Sequence, residues 1–327
     1  MNSKFRSIGI ISILLLVLLV VSACTSNGSS TGLFSPYVGG SKALDISFLT
    51  GSPRSEVFDG GTDDFSIAVE IRNVGEEDLT PNDGYVQISG ILAQEFGVSS
   101  AELRQRIPEI PGARMSSGTI LNGGIEVVSF DGLSYQPTIA GDLTSQRIRA
   151  TACYNYKTRS TSNICVKENP YDSTTRTDIC TVTGQKQVAN SGGPIQITRL
   201  EQQVGGQTSV RVVMTISHVG SPDDYFFRLN SECDARDGNS DMYRVFVDVR
   251  PIVNGQIAAR CSGLQEGSGS SGYITLHNGQ ARDLICTFDL SDLQGSSVTP
   301  LNVELSYRYM QSIETPITIR AMSRSQR

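Results

Sequence analysis

Histidine is the usual base of hydrolytic sites, and the chain contains two, His218 and His277. A serine or cysteine nucleophile needs a base within hydrogen-bonding distance, and neither histidine lies in a recognisable nucleophile motif. His218 stands at a strand end, in the position that Asn73 holds in a similar stretch, which favours a turn residue. The carboxylates show no spacing typical of an acid/base pair. We therefore predict no catalytic residue and a protein that is not an enzyme.

Acidic and amide side chains surround Gly238 and suggest a calcium loop: Asp234, Asp237, Asn239 and Asp241. The order D-x-[DN]-x-[DN]-G fails, because Cys233 and Ala235 occupy the places of the first two ligands. Residues 267–272 read G-S-G-S-S-G, but a phosphate loop needs a strand before it and a helix after it, and here strands flank it. The patterns predict an acidic turn and a flexible loop, with no metal and no cofactor.

The first 23 residues have the pattern of a signal peptide. Lys4 and Arg6 precede an apolar run of 14 residues at positions 8–21. A membrane-spanning helix needs about 20 apolar residues, so the run suits a leader better than a permanent span.

The segment Val21-Ser22-Ala23-Cys24 resembles the lipobox of prokaryotic lipoproteins. The resemblance implies that Cys24 is acylated and becomes the new N-terminus. The Ser- and Gly-rich residues behind it predict a flexible tether at 24–43. The alternative is an uncleaved signal anchor in which Cys24 is an ordinary thiol. Both interpretations predict an extracytoplasmic protein, anchored in the membrane at the cell envelope.

Charge and composition narrow the class of protein further. Removal of the predicted leader would remove Lys4 and Arg6. The remaining chain would have 25 Lys and Arg residues and 33 Asp and Glu residues, a net charge of −8. That balance disfavours nucleic-acid binding. The chain has 32 glycines and no tryptophan, and its many Ser, Thr, Val and Ile residues favour short strands joined by turns.

An internal repeat divides the chain. Residues 65–75, FSIAVEIRNVG, match 210–220, VRVVMTISHVG, and both alternate apolar and polar residues as a half-buried strand does. Further on, 148–157 matches 301–310, so that Tyr154 and Tyr156 correspond to Tyr307 and Tyr309. The same alignment sets 164–166 on 317–319, and we expect each copy to end in a strand, a turn and a returning strand.

The repeat predicts an all-β fold of two tandem Ig-like β-sandwich domains, because two sheets can cover each other's apolar faces. The limits follow from the matched stretches and the polar segments between them. Ser99 and Glu102 form a capping box that predicts a short helix in the first domain. The segments are a signal peptide (1–23), a tether (24–43), domain one (44–168) with its helix (99–107), a linker (169–193), domain two (194–322) and a tail (323–327).

Six cysteines remain once Cys24 is assigned to lipid, an even number that suits a disulfide-permitting exterior. Cys153 aligns with Ser306 and Cys165 with Thr318, so both cysteines are replaced by other residues in the second copy. We therefore predict a Cys153–Cys165 disulfide across the expected hairpin. In domain two the flanking strands predict a Cys261–Cys286 disulfide. Cys180 and Cys233 are left, and could pair across the domains.

The strand that ends in Asn73-Val74-Gly75 resembles the Ig-like adhesion modules of prokaryotic surface proteins, of the CARDB kind. The second copy departs from the motif with His218-Val219-Gly220. A second resemblance rests on the Tyr-x-Tyr strand at 154–156, the Ile-Cys-Val stretch at 164–166 and residues 169–172. Together these motifs are similar to those of a group of archaeal surface proteins with tandem sandwiches. The resemblance implies a surface structural or interaction role and carries over no catalytic residue.

These observations favour a non-enzymatic surface lipoprotein that acts as a stalk or as a platform for a protein or glycan partner. The competing hypothesis is an extracellular ligand-binding module for a sugar or calcium. An enzyme comes third.

Overall fold

The computed structural model describes residues 35–171, 179–251 and 257–322, and the regular secondary structure of these residues is almost entirely β-strand. The predicted leader, Cys24 and the predicted tail lie outside the described residues, as does the first part of the tether. The described end of the tether is packed against the fold. Val38 and Gly39 donate their backbone N–H groups to the carboxylate of Glu76 (2.9 and 3.0 Å), and Ala43 is buried.

The strands follow the repeat. The first copy contains β1 (Leu44–Phe48), β2 (Glu56–Phe58), β3 (Phe65–Asn73), β4 (Gly84–Ser89), β5 (Arg104–Arg106), β6 (Arg114–Ser116), β7 (Thr119–Leu121), β8 (Ile125–Leu133) and β9 (Leu143–Lys167). Between the copies lie β10 (Gly184–Lys186) and β11 (Val188–Asn190). The second copy contains β12 (Ile195–Gly206), β13 (Ser209–His218), β14 (Tyr225–Phe227), β15 (Arg244–Pro251), β16 (Ala259–Ser262), β17 (Gln265–Ser268), β18 (Ser271–Thr275), β19 (Arg282–Asp289) and β20 (Ser296–Arg320).

Short 3-10 helices occur at Ala93–Phe96 and His277–Gly279. Within the described ranges, no helix reaches the length and apolarity that crossing a membrane requires.

Each copy has a small sheet of its own, and both share a large one. The small sheets run β1-β3-β8 in the first copy and β12-β13-β19-β16 in the second, where β10 from the intervening segment adds an edge strand beside β12. The shared ten-stranded sheet runs β17-β18-β15-β20-β9-β4-β5, with β2 and β14 also paired to β20 and β11 paired to β9. The alternating apolar residues predicted to face inward on β3 and β13 are buried, and the core draws side chains from both copies.

The expected hairpin at the end of each copy is wrong. β9 and β20 are single strands of 25 residues each, and they pair with each other antiparallel along their whole length. The polar residues that resembled a turn lie inside β9 and have partners: Ser160 Oγ donates to Asn190 Oδ1 (2.5 Å) and Ser162 Oγ to the carbonyl of Gln187 (2.7 Å). The linker predicted at 169–193 therefore contains a strand, β11, that covers this stretch.

The pairing of β9 with β20 gives the repeat an internal pseudo-twofold symmetry. Tyr154 lies opposite Tyr309, and Tyr156 lies opposite Tyr307. The central pair is Asn155 with Arg308, which are equivalent residues of the two copies. The domain limits drawn from the repeat stay a prediction, but the two copies meet through continuous backbone hydrogen bonding rather than through a linker alone.

The glycine of each Val-Gly motif sits against a tyrosine hydroxyl of the central strands. A Cβ at Gly75 would lie 1.9 Å from the hydroxyl oxygen of Tyr156. A Cβ at Gly220 would lie 2.4 Å from the hydroxyl oxygen of Tyr309. The repeated glycine thus has a packing reason, because only a residue without a side chain leaves room for the ring.

The short helix predicted at 99–107 is also wrong. Both bonds of the capping box form, since Ser99 N–H donates to Glu102 Oε2 (2.7 Å) and Glu102 N–H donates to Ser99 Oγ (3.4 Å). The chain makes one turn there and continues as β5. The carbonyl of Leu103 accepts the N–H of Ile88, so pairing with β4 replaces the helical bond that this carbonyl would accept.

Candidate functional site

The structure pairs all six described cysteines, but two of the three bonds differ from the prediction. Cys153 bonds to Cys233 (Cα–Cα 6.1 Å) and Cys165 bonds to Cys180 (Cα–Cα 5.6 Å). The predicted Cys153–Cys165 and Cys180–Cys233 pairs are therefore wrong. The reason is the continuous β9: twelve residues of extended strand separate Cys153 from Cys165 by about 40 Å, far beyond disulfide reach.

The third bond joins Cys261 to Cys286, the pair that the sequence predicts. These residues lie directly opposite each other on β16 and β19, with Cα atoms 4.0 Å apart. Disulfides persist in oxidising compartments, so this covalent pattern fits a protein outside the cytoplasm. Cys24, the predicted lipid site, lies outside the described residues.

Neither histidine is placed beside a serine or cysteine hydrogen-bond partner in the described chain. His218 ends β13, half-buried, and its Nε2 lies 2.9 Å from the hydroxyl of Tyr309. Burial lowers the pKa of His218 below its ordinary value. The Tyr309 hydroxyl donates to Asp224 Oδ2 (3.0 Å), and burial raises the pKa of that carboxyl. This arrangement ties a turn to the core rather than activating a nucleophile.

The residues around Gly238 form a turn held by its own side chains. Asn239 Nδ2 donates to the carbonyl of Asp234 (2.7 Å), and Asp241 N–H donates to Asn239 Oδ1 (3.0 Å). Across the described ranges, no group of three or more His, Cys, Asp or Glu residues is arranged to hold a metal ion. The glycine-rich stretch 267–272 lies in the β17–β18 hairpin.

A cleft of about 370 Å³ at the end of the ten-stranded sheet is lined by three arginines, one of which, Arg308, belongs to the central pair of β9 and β20. We call it the arginine cleft, and define it by Tyr85 on β4, Arg104 and Arg106 on β5, and Arg308 on β20. Tyr85 pairs with Arg106 on one side and with Cys153 on the other, which aligns the cleft across neighbouring strands. The Cys153–Cys233 disulfide ties the segment after β14 to the same strands.

Two guanidinium groups of the cleft, those of Arg104 and Arg308, lie near the ring of Tyr85. The Arg104 guanidinium carbon lies 3.5 Å from the ring centroid, and that of Arg308 lies 5.7 Å away. A cation over an aromatic face is held by the ring quadrupole while its edge stays free to donate hydrogen bonds. Burial raises the pKa of the Tyr85 hydroxyl, so the ring stays neutral beside the arginines at physiological pH.

The positive charge of the cleft exceeds its negative charge. Glu232 approaches two of its groups, accepting from Arg104 Nη2 (3.3 Å) and from the Tyr85 hydroxyl (3.4 Å). Arg308 is half-buried, which lowers its pKa by desolvation, and its Nε donates to the Cys153 sulfur (3.0 Å). In the part of the chain that the structure describes, neither Arg308 nor Arg106 has a carboxylate within ion-pair distance. Their remaining N–H donors are therefore available to a ligand.

This geometry suits recognition of carboxylates or other oxyanions, because a guanidinium offers planar, paired donors to two acceptor oxygens. β5 is the outermost strand of its sheet. The sequence does not reveal the cleft, because the Arg-Gln-Arg alternation of 104–106 lies in the stretch predicted as a helix, and Arg308 is 202 residues away from Arg106 along the chain.

No family model matches the chain, and no curated protein matches it. Among solved structures, the chain is similar to the serine-rich repeat adhesion glycoprotein Srr1 of Streptococcus agalactiae, at 11% identity over 89% of this chain and 100% of that one, with a TM-score of 0.17. It is also similar to the MSCRAMM ACE of Enterococcus faecalis, described as binding its ligands by the collagen hug model, at 8% identity over 88% and 98%, with a TM-score of 0.10.

Proposed function

We propose that the chain is a non-enzymatic binding protein of the cell surface, and that the arginine cleft docks an acidic segment of a partner protein. One observation carries the proposal: the half-buried guanidinium of Arg308 lacks a carboxylate partner among the described residues, within a chain of net charge −6. Keeping a desolvated charge unpaired is unfavourable, and a carboxylate from outside would compensate it.

The site favours an extended polypeptide over a compact anion. Arg104 and Arg106 are alternate residues of an edge strand, so their side chains leave the strand on the same face. An edge strand can pair with one more strand, which adds main-chain hydrogen bonds to the arginine contacts. A partner strand with acidic residues at alternate positions would satisfy both kinds of contact at once.

The surface location is part of the same proposal. Three disulfides support an oxidising exterior, and the leader and lipobox-like segment support export and anchoring through Cys24. We propose that the two sandwiches of the repeat form a docking platform held to the envelope by the tether. The resemblance to CARDB-like and archaeal surface modules is consistent with this role. Cys24→Ser is expected to move the protein from the membrane fraction to the soluble fraction, and unchanged membrane association would contradict acylation as the anchor.

The docking role is tested with a labelled synthetic peptide of alternating Glu and Thr residues, titrated into the full-length chain by fluorescence anisotropy. We expect binding that weakens as salt is added, because exposed ion pairs are screened. Arg308→Gln is expected to weaken binding about tenfold, since it removes a charge-assisted hydrogen bond. A Lys-Thr peptide of the same length should not bind.

Two further variants test whether binding depends on the arginines of the cleft. Arg106→Gln removes an exposed cleft arginine without touching the core, and should also weaken binding. Arg211→Gln is the matched control, because Arg211 is exposed on β13, outside the cleft, and should leave binding unchanged. Equal binding by all variants, or none by the parent, overturns the proposal. Binding of a sulfated polysaccharide without binding of the peptide would reassign the cleft to an anionic glycan.

A further inference from the structure

A second cavity lies in the second copy, in an open groove of about 450 Å³. We call it the tyrosine groove and define it by the rings of Tyr225 and Tyr243, the turn residue Asp237, and His277 and Asn278 beyond β18. The two rings lie with centroids 6.5 Å apart and planes inclined by 39°. An apolar wall of this kind beside polar tips is typical of a small-molecule site.

The polar groups of the groove are not engaged elsewhere. In the described ranges, no hydrogen bond or ion pair uses the hydroxyls of Tyr225 and Tyr243 or the side chains of Asp237, His277 and Asn278. The turn around Gly238 is held by other residues, so Asp237 is not needed for it. Two hydroxyls, a carboxylate, an amide and an imidazole thus offer both donors and acceptors to a ligand.

Two residues of the groove are held in an uncommon backbone conformation. Tyr243 has φ 60° and Asn278 has φ 53°, which are two of the five non-glycine residues with positive φ in the described chain. A positive φ is unfavourable for a bulky residue such as tyrosine. The backbone of Tyr243 is fixed on both sides, by its N–H to the carbonyl of Phe226 and by its carbonyl to the N–H of Leu276 (2.8 Å each). Strain of this kind clusters at ligand sites, where it positions a side chain.

The charge of the groove selects among ligands. Its lining contains one carboxylate, Asp237, and no lysine or arginine, so it lacks the cationic side chains that favour an anion. A ligand that stacks on an aromatic ring and gives its hydroxyl hydrogens to a carboxylate and an amide is a neutral polyol with an apolar face. We propose that the tyrosine groove binds a neutral hexopyranose unit of a glycan, stacked on Tyr225 and Tyr243 and hydrogen-bonded by Asp237 and Asn278. This site is independent of the arginine cleft.

The test uses the full-length chain and the methyl glycosides of glucose, galactose, mannose and N-acetylglucosamine, observed by saturation-transfer NMR. At least one glycoside should receive saturation from the protein. Its affinity should fall about tenfold in Tyr225→Ala, because the stacking surface is halved. Asp237→Ala should weaken binding as well, and this exposed turn residue can be removed without disturbing the core. Arg308→Gln should leave saccharide binding unchanged, which separates the two sites.

Asp292→Ala is the matched control, since Asp292 is exposed in the same copy and does not line the groove. Near-ultraviolet circular dichroism verifies that each variant is folded. A metal chelator should not affect binding, because the proposed contacts use protein groups alone. The proposal is overturned by the absence of transfer to every glycoside, by equal transfer in the Tyr225 and Asp237 variants, or by loss of binding with the chelator.

Discussion

Two equivalent corners of the repeat share one geometry and differ in chemistry. In the first, Asn73 ends β3, Gly75 follows, and the hydroxyl of Tyr156 fills the space beside that glycine. In the second, His218 ends β13, Gly220 follows, and Tyr309 takes the place of Tyr156. Shape is thus retained between the copies, while the residue that precedes the turn changes from a neutral amide to a titratable ring.

The first corner is satisfied by neutral groups. The Asn73 side chain donates to the carbonyls of Glu77 (2.8 Å) and Ile110 (3.2 Å) and accepts from the N–H of Gly75 (3.2 Å). The Tyr156 hydroxyl donates to the carbonyl of Gly192 (2.9 Å). Because none of these bonds uses a carboxylate or imidazole side chain, and burial raises the pKa of the Tyr156 hydroxyl further above neutrality, we expect these bonds to be insensitive to pH between acid and neutral conditions.

The second corner links three titratable groups. The Tyr309 hydroxyl gives its hydrogen to Asp224, so Nε2 of His218 must be the donor to the tyrosine oxygen. His218 also packs against Phe226, with ring centroids 5.3 Å apart. The packing requirement at Gly75 and Gly220 is thus the same in both copies, while the polar contacts around the two glycines differ.

The largest expected effect comes from filling the shared space. Gly75→Ala and Gly220→Ala should each reduce the free energy of unfolding by about 3 kcal/mol, because a methyl group overlaps a buried tyrosine hydroxyl. Chemical denaturation measures both values. Gly141→Ala serves as the control, since a Cβ there meets no atom within 4 Å. A neutral result at either motif glycine would remove the packing explanation of the repeat.

The next largest effect is a difference in stability between two variants that each remove the tyrosine hydroxyl of one corner. Tyr156→Phe should cost about 2 kcal/mol, because it leaves the carbonyl of Gly192 and the N–H of Glu77 without their partner in a buried place. Tyr309→Phe should cost about 1 kcal/mol, since the half-buried His218 and Asp224 can turn to water. Denaturant midpoints of the two variants compare the values directly. The reverse order would mean that the second corner is the better satisfied one.

Exchange of the residue before the turn tests the pH difference. The pKa of His218 is lowered by burial, so the unfolded state binds its proton first, and stability is full above the ordinary value of 6.5 and is lost as the pH falls through it. His218→Asn should remove this acid loss, while costing about 1 kcal/mol at alkaline pH through lost ring contacts. Asn73→His should create an acid loss in the first corner. Unfolding measured at several pH values reports both, and an unchanged acid limb in His218→Asn would contradict the assignment.

The smallest effect concerns Asp224. Burial raises the pKa of this carboxyl, so its stabilising contribution is present below the ordinary value of 3.8 and is lost as the pH rises through the folded value. Asp224→Asn keeps an acceptor for Tyr309 without the charge, and should increase stability at neutral pH by less than about 1 kcal/mol. The gain should vanish in acid. A loss of stability at neutral pH would show that the charge itself supports the corner.

Local patterns predicted the repeated elements well. The apolar alternation of 65–71 and 210–216 corresponds to β3 and β13, and the Val-Gly motifs mark real turns after them. These features depend on neighbours within a few residues, which is why the sequence alone shows them. The pairing of Cys261 with Cys286 was accessible for the same reason, since both strands lie close in the chain.

Features that depend on distant partners were not accessible. Thr158, Ser160 and Ser162 resemble a turn, and their burial within β9 depends on β11 and Tyr307. The wrong hairpin then produced the wrong cysteine pairs. The sequence does not reveal the arginine cleft, because only the shared sheet brings Arg308 near β5. It does not reveal the tyrosine groove either, because the groove residues come from separate stretches of the chain, around 225, 235–243 and 275–278.

The joint between β9 and β20 has a consequence for how the molecule is assembled. Its ladder connects residues as far apart as Leu143 and Arg320, and contacts of such separation slow folding because a long loop must close before they form. During synthesis, the edge of β9 that pairs with β20 stays unpaired until β20 has been made. The central sheet is therefore completed late, only after the whole of β20 is available to pair with β9.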